Sequence, residues 1–276
     1  MNSEHKIKEL SLMAKRMRKK ALDLVLAAGN KGSHVGPGLS IIEIMATLYG
    51  GILRLDPKNP MWIERDRFIL SKGHGALALY TALAEAGFLT SDELNSYETN
   101  DGILPGQPSM NVEKGIEVSS GSLGMGLSLG IGIALIGKQQ QKDYKVYVLM
   151  GDGECNEGSV WEAAMSASHF KLKNLIAIVD YNKMQSDGAS KDIMNMQDLV
   201  SKWKSFGWET NEVDGHDVSA LYQAFSCHQI SFGKPYVIIA NTVKGKGVSF
   251  MENNKDWHHS RLTAEQHQLA MNELEN

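Results

Sequence analysis

The stretch from 144 to 170 reads YKVYVLMGDGECNEGSVWEAAMSASHF, and the fold turns on how it is interpreted. Val146 to Met150 is an apolar run of strand length, the kind that is buried on both faces of a sheet. It stops at Gly151-Asp152-Gly153, where glycines let the backbone turn sharply around an aspartate. Helical character follows, from Trp161 to Phe170. Strand, tight turn and helix in succession are the repeating unit of a parallel α/β sheet.

The same grammar extends outward. Phe68 to Leu70, Leu175 to Val179 and Tyr236 to Ala240 read as further buried strands, and Ala76 to Ala86 as another helix. Strands apolar on both faces, alternating with helices, predict an α/β domain with a mainly parallel sheet. Ligands of such sheets bind beyond the carboxyl ends of the strands. Asp152 and Asn182 each fall just past one of those ends.

Composition narrows the class. The 276 residues are 42% hydrophobic and 22% charged, as expected of a globular protein, and the net charge of -4 gives no support for a nucleic-acid partner. No apolar run approaches the ~18 residues of a membrane-spanning helix. The basic N-terminus lacks the apolar stretch and cleavage site of a signal peptide, so a cytoplasmic address is expected. Ile7, Leu10, Met13, Met17 and Leu24 fall at helical spacing, predicting an amphipathic first helix with a solvated basic face. Cys155 and Cys227 stand far apart and outside any C-x-x-C, which indicates neither a disulfide framework nor a zinc site. With no linker or repeat, 1–276 reads as a single domain whose segments 1–15 and 263–276 are peripheral, the second as a polar tail or a last helix.

Six glycines lie between Gly121 and Gly137 without the G-x-G-x-x-G spacing of a dinucleotide site. Gly126 and Gly130, at i and i+4, would let a helix approach another backbone closely. A packed helix at a subunit interface and a direct role under a ligand are both open.

At Gly151-Asp152-Gly153 the backbone N–H groups can approach an anion while the carboxylate needs a cation. A diphosphate carrying a hard divalent cation meets both needs, because Mg²⁺ takes oxygen ligands and keeps phosphates and water among them. The Asn182 amide oxygen and the Met184 carbonyl could complete the protein's share. An isolated GDG is also a plain turn; it is Asn182, placed after the next strand, that gives the cation reading its weight.

The run GDGECNEGSVWEAAMSASHFKLKNLIAIVDYNKM resembles the thiamine-diphosphate signature, which opens with GDG and closes with an asparagine after a second strand. GSHVGPGLS, RDRFILSKGHG, LPGQPS, SSGSLGMGLSLGIG, VDGHD and VKGKGVSFMENNKDWHH follow the order of the N-terminal half of transketolases, so the resemblance runs from about residue 15 to 262. It implies a thiamine-diphosphate-binding fold, with Asp152, Asn182 and the Met184 carbonyl on Mg²⁺. Gly151 belongs to the same turn, and Gly153 and His74 would contact the diphosphate. Gly121 and Leu123 would lie beside the aminopyrimidine, and His34 and His258 would face the reacting carbons of the sugar. Glu157 and Glu162 would link two cofactor sites across a dimer interface. Of the other histidines, His169 is expected to be structural and His5, His228 and His267 to be at the surface.

The resemblance further implies transfer of a two-carbon ketol unit from a ketose, such as a sugar phosphate, to an aldose. The residues of the family's second half have no counterpart here. The expectation is therefore a chain inactive alone, completed by a separate C-terminal, pyrimidine-binding transketolase subunit in an α2β2 assembly. One departure bears on the substrate: Gln107 stands in LPGQPS where the family has histidine. Either the variation is tolerated, or it marks an unusual donor, sulfonated (6-deoxy-6-sulfofructose) or branched (apulose phosphate). SHVG around His34, in place of GHPG, is a milder difference. Deoxyxylulose-phosphate synthases, 2-oxoacid dehydrogenase subunits and a noncatalytic cofactor sensor are the rival readings.

Overall fold

The computed structural model describes residues 3–227 and 233–275; His228 lies outside them. The chain opens with α1 (Ser3–Ala28), α2 (Val35–Leu39) and α3 (Ile42–Thr47), followed by β1 (Arg67–Leu70), α4 (Ala76–Glu85) and the short α5 (Ser91–Asn95). A long irregular stretch leads to α6 (Gly126–Gln139), β2 (Val146–Gly151), α7 (Gly158–His169) and β3 (Leu175–Tyr181). Then come α8 (Ser190–Ile193), α9 (Leu199–Ser205), β4 (Glu209–Asp214), α10 (Val218–Cys227), β5 (Tyr236–Asn241) and α11 (Ala264–Glu275).

The five strands form one sheet in the order β1-β2-β3-β5-β4, every pair parallel. The strand period of two divides the side chains between two cores. Tyr147, Leu149, Ile176 and Ile178 enter one, with α1, α3 and α4; Val146, Val148, Met150, Ala177 and Val179 enter the other, with α6 and α7. Burial on both faces is why these strands read as unbroken apolar runs. All five carboxyl ends open on one edge, and the register pairs Gly151 with Asp180, so Asp152 comes to lie beside the end of β3.

Five points correct or refine the sequence reading. β4, with the sequence ETNEVD, is a partly exposed edge strand whose only strand partner among the described residues is β5, and no apolar run announces it. Arg18 is not on a solvated face: it is 7% exposed, its Nη2 lies 2.6 Å from Glu43 Oε1, and its Nε donates to the Lys246 carbonyl at 2.9 Å. His267 is not at the open surface: its side chain is 17% exposed and paired with Asp23 at 2.9 Å. Gly126 and Gly130 bring α6 against the chain's own sheet, since added Cβ atoms would stand 2.4 Å from Ser71 Cβ and 2.6 Å from Val148 Cγ2. The outward side of α6 carries the exposed Met125, Leu129 and Ile136. The last segment is a helix, with Ala270 fully buried.

Candidate functional site

A cleft of about 320 Å³ opens at the carboxyl edge of the sheet. Among the residues lining it are Asp152, Asn182, Met184, His74, His258 and Lys72. β2 delivers Asp152, whose N–H bonds the Asp180 carbonyl at 3.1 Å. The Asp152 carboxylate is 3% exposed and accepts a 2.8 Å hydrogen bond from Ser190 Oγ at the start of α8. Burial pushes its pKa up to about 6 despite that bond. Gly151 also lines the cleft, and a Cβ built there meets nothing within 4 Å, so the missing side chain leaves room for a ligand.

Asn182 donates through Nδ2 to Asp180 Oδ2 at 2.8 Å, and its Oδ1 accepts from Met184 N–H at 3.0 Å. Lys183 between them has φ 64°, a left-handed conformation that turns the chain sharply. Asp180 is fully buried in an ion pair with Lys72, itself fully buried. Ser40 Oγ donates to Asp180 at 2.7 Å and Thr242 Oγ1 donates to the other oxygen. Burial would raise this carboxyl, but Lys72 beside it and the hydrogen bonds hold it below the usual range. The orientation of the Asn182 amide is thus set: nitrogen toward Asp180, and oxygen toward Met184 N–H with a second lone pair left over.

His34, His74 and His258 come together, with ring centroids 6.0 Å (34–74), 5.5 Å (34–258) and 5.4 Å (74–258) apart. His259 is more exposed and stacks edge-on with His34 at 4.6 Å, so His258 is the one that lines the cleft. Burial first, and neighbouring cations second, lower His34 to about 4 and His258 to about 3, and hold His74 well below its ordinary value. All three are neutral near pH 7. Lys244 Nζ lies 2.8 Å from His258 Nδ1 and donates to the Gln185 carbonyl at 2.9 Å. An ammonium only donates, so His258 carries its own proton on Nε2. Burial lowers Lys244 to about 8.

Leu123 and Glu157 line the cleft, and Gly153 packs under Gln185. Gln107 is not among the residues that line the cleft; it lies against Gly121 and Gly73, its Oε1 2.3 Å from where a Gly121 Cβ would stand and 3.1 Å from one at Gly73. Glu162 is not among the cleft residues; it sits on the exposed side of α7 near Met165. His5 is exposed, as expected, and His169 is exposed with its ring edge-on to Phe170.

Lys72, Lys244, Asp180, Glu154 and Ser190 are not singled out by the sequence, although both lysines lie inside the motifs shared with transketolases. His216 of VDGHD also gains a place. Its Nδ1 lies 2.9 Å from Glu43 Oε2 and its Nε2 accepts from Val243 N–H at 2.8 Å, which fixes the turn that presents Lys244.

Asp152, Asn182 and Met184, which line the cleft together, can offer a carboxylate, an amide oxygen and a main-chain carbonyl, all hard oxygens. Among the described residues no three His, Cys, Asp or Glu side chains gather as a metal cluster. Such a set fits a cation shared with phosphate oxygens better than a self-contained protein cage. The neutral histidines and two buried lysines around it fit an anionic ligand.

Comparison with known proteins agrees. Residues 10–274 match the family model described as transketolase, thiamine diphosphate binding domain. One of the subunits of the apulose-4-phosphate transketolase of Phocaeicola vulgatus is 40% identical over 268 residues, spanning 97% of this chain and 94% of its own length. A 6-deoxy-6-sulfo-D-fructose transketolase subunit of a Clostridium species is 43% identical over 242 residues, 88% of each chain. Transketolase from Leishmania mexicana superposes with a TM-score of 0.91 at 28% identity, covering 97% of this chain but only 41% of that one. With a family match over nearly its whole length and a fold that superposes on a transketolase, the chain belongs to the transketolase family as its N-terminal, thiamine-diphosphate-binding part.

Proposed function

We propose that this chain is the diphosphate-binding subunit of a split, Mg²⁺-dependent transketolase that moves a two-carbon ketol unit from a ketose to an aldose. The observation that carries this reading is the convergence of Asp152, Asn182, Met184, His74 and His258 on one cleft. Asp152, Asn182 and the Met184 carbonyl would hold Mg²⁺, Gly153 and His74 the diphosphate, and Gly121 and Leu123 the ring side. Bound there, thiamine diphosphate supplies the electron sink for breaking a carbon–carbon bond beside a carbonyl.

The chain's own residues orient and move protons. His258 presents its Nε2 proton toward the cleft because Lys244 occupies Nδ1. His34, neutral beside it, can take a proton from a sugar hydroxyl. A protein that only bound the cofactor would have no use for such a pair.

The partner is a C-terminal, pyrimidine-binding subunit in an α2β2 assembly. The exposed Met125, Leu129 and Ile136 on α6, near Met165 on α7, support an interface there, with Glu157 and Glu162 joining cofactor sites. The single domain 1–276 acts in the cytoplasm; no helix among the described residues is long and apolar enough to cross a membrane.

A second reading, an unusual ketose as donor, is favoured by Gln107 against Gly121 and by relatives named for apulose 4-phosphate and 6-deoxy-6-sulfo-D-fructose. The test is co-expression with the partner, followed by turnover on xylulose 5-phosphate, fructose 6-phosphate, apulose 4-phosphate and 6-deoxy-6-sulfofructose. No turnover on any donor with both subunits present refutes the transketolase reading. Turnover confined to the ordinary phosphates refutes the specialised one.

A further inference from the structure

Glu154 follows the diphosphate turn directly and is 1% exposed, yet neither oxygen faces an ammonium or guanidinium at hydrogen-bonding distance. Its partners come from three segments far apart in sequence. Oε1 accepts from Ser71 Oγ, just past β1, and from Gly124 N–H at 2.9 Å. Oε2 accepts from Gly151 N–H at 3.1 Å, at the end of β2. Ser71 Oγ in turn accepts from Gly126 N–H at 3.0 Å, closing the first turn of α6.

Gly124 is held from its other side as well. Its carbonyl accepts from Ser159 Oγ at 2.9 Å, and its φ of 81° puts it where glycine is favoured. A Cβ there would stand 2.7 Å from Glu157 Cβ, so the turn is pressed onto the start of α7. Leu123, immediately before it, lines the cleft.

We propose that Glu154 is a positioning residue: its carboxylate ties the Gly121–Gly126 segment to the Gly151–Gly153 turn, so that the wall beside the cofactor ring keeps register with the diphosphate cradle. This rests on the reading of the cleft as the thiamine-diphosphate site. Both carboxylate oxygens are taken up by donors of the fold, which leaves Glu154 no part in moving protons on substrate.

Glu154→Gln is isosteric and isolates the role. One of its two terminal atoms becomes a donor. In either orientation a backbone N–H, that of Gly124 or that of Gly151, then faces another N–H and loses its acceptor. Hydrogen exchange on the full chain without cofactor should become ~10-fold faster at Gly124 and its neighbours in 121–126 or at Gly151, whichever N–H loses its acceptor, while the rest of β2 and β3 stay as protected as in the parent. In the complex with the partner subunit, thiamine diphosphate measured by calorimetry at saturating Mg²⁺ should bind ~10-fold more weakly. Ser71→Ala, which removes the acceptor of Gly126 N–H, should give the same pattern and decides the matter if Glu154→Gln does not fold.

Unchanged exchange at both 121–126 and Gly151 would overturn the proposal, and so would faster exchange spread evenly through the sheet. Faster local exchange with unaltered cofactor affinity would also overturn it. Failure of the parent complex to bind thiamine diphosphate at all would refute the cofactor reading and this role together, whatever the exchange showed.

Discussion

Replacing Asp180 tests how the buried end of β3 supports Asn182, the proposed cation ligand next to it. In Asp180→Asn the oxygen that serves Lys72, Ser40 and Asn182 can be retained, and the new NH₂ faces Thr242, whose hydroxyl can turn to accept. The hydrogen bonds therefore survive and the loss is one of charge. Lys72 is fully buried and would be left without a counter-charge, an arrangement that costs about 3–5 kcal/mol. For a domain of this size that is roughly 6–20 °C in Tm. Lys72→Met combined with Asp180→Leu removes both charges at similar volume and should recover most of the loss. It also removes the acceptor of Asn182 Nδ2, so Mn²⁺ affinity in the presence of thiamine diphosphate, read by electron paramagnetic resonance, should fall about tenfold even in this stable protein. The reasoning fails if the single variant loses less than ~1 kcal/mol, or if the double variant restores cation affinity along with stability.

Three further outcomes are expected. His34 and His258, held at about 4 and about 3, lie below their unfolded value near 6.5. Their contribution to stability is thus fully present above about pH 6.5 and lost as pH falls toward 4 and 3. Asp152, raised to about 6, acts in the opposite sense, its contribution lost as pH rises through that value. His74 is lowered in the same sense as the two histidines, and Glu154 is raised in the same sense as Asp152. Three groups outweigh two, so the urea midpoint of the cofactor-free chain should drop between pH 6.5 and 4.5, and His258→Asn should flatten the slope; a flat parent profile would contradict this. Asp152→Asn should raise the Tm of the cofactor-free chain by relieving a buried charge, yet abolish the Tm increase on adding Mg²⁺ with thiamine diphosphate; scanning calorimetry reads both. Gln107→Ala should raise the donor KM about tenfold through one lost hydrogen bond while leaving cofactor affinity unchanged, and weakened cofactor binding would place Gln107 elsewhere in the mechanism.

The strands that carry the site were legible because burial on both faces writes an unbroken apolar run, as in β2 and β3. β4 was not, because a polar edge strand is defined by its neighbour rather than by its own residues. Asp152 and Asn182 could be placed from strand ends alone, and the histidines from their motifs. Lys72 and Lys244 could not, since a lysine's burial depends on where its counter-charge lies in space: Asp180 stands 108 residues from Lys72. Arg18 and Glu43 repeat the lesson, a charge on an amphipathic helix turned inward by a partner 25 residues on. The glycines of α6 were read as making close approach possible, but only the sheet shows what they approach.

The two sides of α6 have unequal freedom. On the inner side any methyl group at Gly126, Gly130 or Gly137 would collide with Ser71, Val148 or Tyr144. The outer side displays Met125, Leu129 and Ile136 to water. A newly made copy that met no companion would expose this greasy strip to chaperones and proteases, and at high concentration to other such strips. Cells producing this chain in excess should accumulate it as inclusion bodies, whereas matched synthesis of both subunits should keep it dispersed. Solubility thereby becomes a gauge of assembly that needs no substrate.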